Sequence, residues 1–177
     1  MTDIKRFIEP APGFDGEAAI WISALDETRR QTREIVAAMT SDQLTWKPPG
    51  GGNTIGQLLR HIALVELDWM ITDICQEKEL PADAPELLKL EGPMVDPGRR
   101  PLAEFVAALD WARALTKDRL KRFPKEEITA TRTYQGEGVT KTFNVRWILY
   151  HLVDHEAQHK GQILAVKRMM GLTKSEG

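Results

Sequence analysis

The residues best equipped for chemistry in this 177-residue chain are its four histidines, His61, His151, His155 and His159. Three of them recur at four-residue steps, and on an α-helix that step returns to nearly the same face one turn along. His151, His155 and His159 therefore form a column about 12 Å long, at ~1.5 Å of rise per residue. Ile148, Leu152, Ile163 and Val166 flank the column, which puts it on or beside a core-facing stripe. His61 lies on another amphipathic segment, between Leu58 and Val65 on its inward side. A buried imidazole needs partners for both ring nitrogens, and several histidines pointing into one core satisfy one another poorly. A divalent ion resolves the conflict by accepting a lone pair from each neutral ring. Two histidines four apart on one helix, joined by a third ligand from a facing helix, make a three-nitrogen site with positions left open for water or substrate. Spacing alone leaves open which three of the four take part.

His155-Glu156-Ala157-Gln158-His159 also spells the H-E-x-x-H pattern of zinc proteases, with Glu156 in the place of a general base. That chemistry needs a further ligand downstream. After His159 the sequence offers no histidine and only Glu176 as an acid, which counts against proteolysis. Glu156 lies about 100° around the helix from His155 and is equally suited to solvent or to a neighbouring helix. Gln162, three residues after His159, faces either the site or an adjacent helix. Glu66 and Asp68 are candidate acceptors for histidine ring N–H groups, and Glu66 is also a candidate fourth ligand. Cys75 is about 21 Å along the helix from His61, too far to share an ion. The five tryptophans are spread along the chain and read as packing residues, with Trp46 and Trp69 as candidates to line a pocket.

The elements that carry these groups follow from periodicity. A loose lead-in containing Pro10, Pro12 and Gly13 precedes a helix capped at Asp15 and ending near Met39. Ile20, Trp21, Ala24, Leu25, Thr28, Ile35 and Met39 form its apolar face, and Glu27, Arg29, Arg30, Arg33 and Glu34 its polar one. Residues 40–53 read as a connector broken by Pro48-Pro49-Gly50-Gly51-Gly52. Thr54 and Gln57 form a capping-box pattern that opens a second helix, running to about Gln76. The proline-bearing stretch 77–100 reads as a long crossover with one turn at Glu86–Leu90. Pro101 suits the first position of a third helix that stops before Pro124. Threonines alternating around Gln135-Gly136-Glu137-Gly138 predict a short β-hairpin, or else an extended loop, over 128–143. A last helix runs from Asn144 to Met170 and closes at Gly171. Four long amphipathic helices predict an all-α four-helix bundle, one domain spanning residues 1–177.

Composition sets the outer limits. The apolar share is 42% and the charged share 28%, as in folded soluble domains. A net charge of −2 gives no electrostatic reason to expect nucleic acid or acidic lipid. No apolar run approaches the ~20 residues of a membrane helix. A single cysteine excludes an internal disulfide, and with no export signal at the N-terminus the expected location is cytoplasmic.

Thr54-Ile55-Gly56-Gln57-Leu58-Leu59-Arg60-His61-Ile62-Ala63 resembles the second-helix signature of the DinB superfamily of four-helix metalloproteins. The run from His151 to Ile163, with His159-Lys160-Gly161-Gln162 near its end, is similar to that family's last-helix signature. Leu44-Thr45-Trp46-Lys47-Pro48 resembles its linker before the second helix. The resemblance covers nearly the whole chain and implies His61, His155 and His159 as ligands of a divalent ion, with His151 a neighbour one turn away. Zinc, nickel and iron all suit three imidazoles. Characterised members of that family include transferases and an isomerase that use a low-molecular-weight thiol, mycothiol or bacillithiol, with a divalent metal. The implied activity is thus S-transfer from a metal-activated thiol cosubstrate to a small electrophile. The alternatives are hydrolysis by metal-held hydroxide and a non-catalytic, metal-binding stress-response role. A homodimer is compatible with the resemblance, although no apolar surface stripe in the sequence calls for one.

Overall fold

The computed structural model describes residues 7–136 and 138–172; residues 1–6, Glu137 and 173–177, with Glu176, lie outside the described residues. The helices are α1 (Gly16–Val36), α2 (Ser41–Thr45), α3 (Ile55–Asp68), α4 (Leu102–Arg122) and α5 (Val145–Met169). π-helical turns over Trp69–Ile74 continue α3, and β1 (Thr131–Gly136) pairs antiparallel with β2 (Val139–Asn144) just before α5. The expected hairpin is therefore present.

The expected capping box opens α3: Thr54 Oγ1 accepts from Gln57 N at 3.1 Å, and Gln57 Oε1 accepts from Thr54 N at 2.8 Å. The same device recurs at Thr40 and Gln43 and creates α2 inside the stretch read as connector. It also explains why α1 stops at Val36 and not near Met39: Thr40 is extended and starts a new helix. Pro101 is the extended residue before α4 and not its first helical residue. The turn in the long connector falls at Glu86–Leu88.

Two apolar layers build the core. One gathers Val36, Leu59, Phe105, Ala112, Ile163 and their neighbours; the other gathers Ile22, Leu25, Met70, Ile74, Leu120 and Leu149. These memberships fix the helix directions. α1 and α5 run from the second layer to the first, whereas α3 and α4 run from the first to the second. α1 packs beside α5, α5 beside α3, and α3 beside α4, with a thinner contact between α4 and α1. Sequential α1 and α3 thus lie on one diagonal of the bundle. Parallel neighbours α3 and α4 must be joined by a chain that returns the whole length of the bundle. At ~1.5 Å per residue that is about 30 Å, which is why the 77–100 connector is long.

A charged layer separates the two apolar ones, with one residue from each long helix. Arg29 of α1 donates from Nε to Glu156 of α5 at 2.8 Å, from Nη2 to Glu66 of α3 at 2.6 Å, and from Nη1 to the Leu109 carbonyl of α4 at 2.5 Å. Arg113 of α4 donates to both Glu66 oxygens at 2.7 and 3.2 Å and lies 3.5 Å from Glu156. All four side chains are buried. The placement of Arg29 on a solvent face is thereby corrected: it continues the buried stripe Ile22, Leu25, Thr32 and Val36, while Ile20 is 39% exposed. The hairpin closes one end, where Arg132 donates to the Asp73 and Ile74 carbonyls at 3.0 and 3.2 Å, serving acceptors left free at the end of the π-turns.

Candidate metal centre

His61 of α3 meets His155 and His159 of α5 on the antiparallel α3–α5 seam, beside the charged layer. His155 Nε2 lies 3.2 Å from His61 Nε2 and 3.0 Å from His159 Nε2. One potential ligand atom from each of the three residues falls within 4.8 Å of the others, and each residue is half-buried. Zinc–nitrogen bonds of about 2.0–2.1 Å would place tetrahedral ligand nitrogens about 3.3 Å apart and octahedral neighbours about 3.0 Å apart, so this spacing fits one ion.

The protons point to the same conclusion. His159 Nδ1 lies 3.0 Å from Gln162 Oε1, an acceptor, so the neutral ring carries its hydrogen on Nδ1 and leaves the Nε2 lone pair free. Burial, with the neighbouring His159, His61 and His151, pushes His155 down to about 3. Burial and His159 also lower His61. Both rings are thus neutral at pH 7. A hydrogen on His155 Nε2 can serve only one of its two close nitrogen contacts well, whereas a cation among the three lone pairs serves all of them. His61 Nδ1 is buried with no hydrogen-bond partner among the described residues.

The other candidates lie elsewhere. The His151 ring stacks on Trp147, with centroids 5.1 Å apart and planes 3° apart, and meets Trp69 edge-on at 5.3 Å. It stands 5.7 Å from the His155 ring, outside the three-nitrogen cluster. Phe143 stacks in turn on Trp147 at 4.5 Å, so an aromatic wall runs from the hairpin along the seam to the histidines. Glu66 and Glu156 turn inward to Arg29 and Arg113. Cys75 lies at the hairpin end of the bundle, in a cleft with Arg119 and Arg132. A groove of about 750 Å³ between α1 and α4 lies away from the histidines, and its charges are largely paired, as in Arg33–Asp110 and Lys117–Asp26.

Three buried arginines escaped the sequence reading: Arg29, Arg113 and Arg60. The available signal was their position. Arg113 follows Leu109 and Ala112 and precedes Thr116 and Leu120 on a buried stripe. A charge there implies a buried counter-charge on a facing helix. Gln162→Leu, which removes the acceptor for His159 Nδ1–H, is expected to weaken zinc binding about 10- to 100-fold in a chelator competition, with little change in melting temperature.

The family model of the DinB superfamily matches residues 24–163, a span that contains all three histidines. The chain is 30% identical over 176 residues to the uncharacterized protein YkkA of Bacillus subtilis (strain 168), covering 95% of this chain and 94% of that protein. A conserved protein of a locus from Enterococcus faecalis shares the fold with a TM-score of 0.67 at 17% identity, over 89% of this chain and 99% of that one. So does YfiT from Bacillus subtilis, with a TM-score of 0.58 at 20% identity over 93% and 94% of the two chains. YfiT is described as a probable metal-dependent hydrolase with an unusual four-helix bundle topology.

Proposed function

The chain belongs to the DinB superfamily, and from that premise we propose that it is a metal-dependent S-transferase, with His61, His155 and His159 holding a divalent ion. The observation that carries the reading is the convergence of three Nε2 atoms without a fourth protein ligand among the described residues. Among the described residues no other histidine, cysteine or carboxylate joins the cluster, and Glu66, the candidate fourth ligand, is held by Arg29 and Arg113. A catalytic site keeps open coordination positions, whereas a structural site is closed by protein. An ion held there would favour the deprotonated form of a thiol or water at the open position.

The chain's own residues have distinct tasks in this reading. Gln162 fixes the ring of His159. Trp147, Trp69 and His151 give the seam an aromatic flank against which the apolar part of a small electrophile can lie. The charged layer holds α3 and α5 in register. In the overall reaction the thiol sulfur forms a bond to the electrophilic carbon, and the leaving group departs with the thiol proton. The use of low-molecular-weight thiols by transferases of this superfamily supports a thiol cosubstrate. The likeness to YfiT favours a second reading, hydrolysis with water as the nucleophile.

One assay separates the two. Zinc- or nickel-loaded protein is incubated with 1-chloro-2,4-dinitrobenzene and a panel of low-molecular-weight thiols, and separately with p-nitrophenyl acetate without thiol. Conjugation that requires both metal and thiol is the expected result. Metal-dependent ester cleavage without thiol, and no conjugation, would replace the transferase by the hydrolase.

A further inference from the structure

Arg60 immediately precedes His61 on α3 and is 1% exposed, yet among the described residues its guanidinium donates only to backbone carbonyls. Nε donates to Leu87 O at 2.7 Å, Nη1 to Gly92 O at 2.7 Å and Pro93 O at 3.4 Å, and Nη2 to Leu90 O. One turn earlier Gln57 Nε2 donates to Met94 O at 2.7 Å. Buried arginines ordinarily sit opposite a carboxylate. Here the planar fork is used to gather the carbonyls of an irregular segment, which need donors of their own when buried. Arg60 and Gln57 thus strap residues 87–94 to the face of α3 that carries His61.

The strap ends beside the metal centre. His61 Nδ1 is buried with no hydrogen-bond partner among the described residues, and the Pro93 backbone lies close enough to its ring to favour a proton there. A histidine that binds metal through Nε2 carries its hydrogen on Nδ1 and needs an acceptor there. His159 has Gln162 for this purpose. His61 Nδ1 has no such partner among the described residues, and the backbone of Pro93, whose carbonyl Arg60 Nη1 reaches at 3.4 Å, is the hydrogen-bonding group that bears on its ring.

We propose that Arg60 is a positioning residue for the metal centre: by strapping the 87–94 segment it holds the Pro93 carbonyl as the acceptor for His61 Nδ1–H, and so keeps the Nε2 lone pair of His61 aimed at the ion. This rests on the metal reading above. Arg60 itself touches neither ion nor substrate.

The test uses the full chain as wild type, Arg60→Lys and Arg60→Met, each metal-free at pH 8 and zinc-loaded. Histidine-ring nitrogen–proton correlation spectra read the tautomer of His61, and competition with a chromophoric chelator reads zinc affinity. Wild type is expected to carry the His61 proton on Nδ1 in both states. Arg60→Met is expected to return metal-free His61 to the usual Nε2–H form and to weaken zinc binding about 10- to 100-fold. Arg60→Lys, which keeps the charge and loses the fork, should fall between them and carries the test if the methionine variant does not fold. A folded variant with lower melting temperature but an unchanged tautomer and zinc affinity within about twofold of wild type would overturn the proposal, leaving the metal centre intact. Failure of wild type to take up zinc would refute the metal reading instead. The metal-free spectra still decide the Arg60 link in that case: Nδ1–H lost on substitution supports it, and Nε2–H in wild type overturns it.

Discussion

Glu66→Gln is expected to destabilise the protein by about 3–5 kcal/mol, the range seen when one member of a buried ion pair is removed. Glu66 is 3% exposed and receives both Arg29 and Arg113. The glutamine cannot neutralise either guanidinium, and Glu156 alone is left to balance two buried positive charges, with the half-exposed Asp26 at the edge. Against a total stability of roughly 5–15 kcal/mol, this is a large fraction. Thermal unfolding should show a loss of about 6–20 °C. The pH dependence has a defined sign. Burial alone would raise the Glu66 carboxyl, but Arg113 and Arg29 outweigh it and pull it from 4.5 to about 2. A depressed carboxyl contributes stability that is complete above the unfolded value, near 4.5, and is lost as pH falls through the folded value, near 2. That contribution is on the order of 3 kcal/mol. The gap between wild type and Glu66→Gln should therefore narrow as pH falls from 4.5 towards 2. A variant within about 1 kcal/mol of wild type at pH 7 would mean that the layer is solvated and does not set the helix register.

His155→Ala has the other large effect. His155 Nε2 is the atom common to both close nitrogen contacts, so its loss leaves two ligands, one on each side of the seam. If zinc binding through three ligands is worth roughly 10–16 kcal/mol, one ligand carries several kcal/mol, and affinity should fall on the order of a thousandfold. Zinc at a hundred times its dissociation constant should stabilise wild type against heat by about 2.7 kcal/mol and give no such protection to the variant. Because His155 is half-buried and unpaired except with other histidines, the metal-free variant should melt close to metal-free wild type. Equal zinc protection of both proteins would place the ion elsewhere.

Much of this was legible in the sequence, for reasons that differ by residue. The histidine column was legible because helical periodicity is local, and the Thr54–Gln57 cap because its donors and acceptors lie three residues apart. Which three histidines converge depends on α3 and α5 meeting antiparallel, a long-range fact that the residues alone left open and the family signatures supplied. Arg29 was misplaced for a related reason. A polar residue on an apolar stripe reads as solvent-facing until its counter-charges are known, and Glu66 and Glu156 lie far along the chain. The same layer explains why those two glutamates, which as isolated helix residues were candidates for work at the metal, are turned inward. Arg60 was hidden because its partners are backbone carbonyls in a segment without regular structure, which leave no mark in residue type. The second cap, Thr40 with Gln43, was written in the sequence as plainly as the first, but the short helix it opens has no apolar periodicity to draw attention to it.

The central claim is that His61, His155 and His159 hold one ion, and elemental mass spectrometry of tag-free protein purified without chelator tests it most directly. The account predicts one divalent ion per chain, either as isolated or after dialysis against zinc or nickel, and its absence from His155→Ala treated in parallel. Wild-type protein that is folded, carries no ion and takes none up on titration would contradict it. The three histidines would then be packing residues, and the S-transferase and hydrolase readings would fall together.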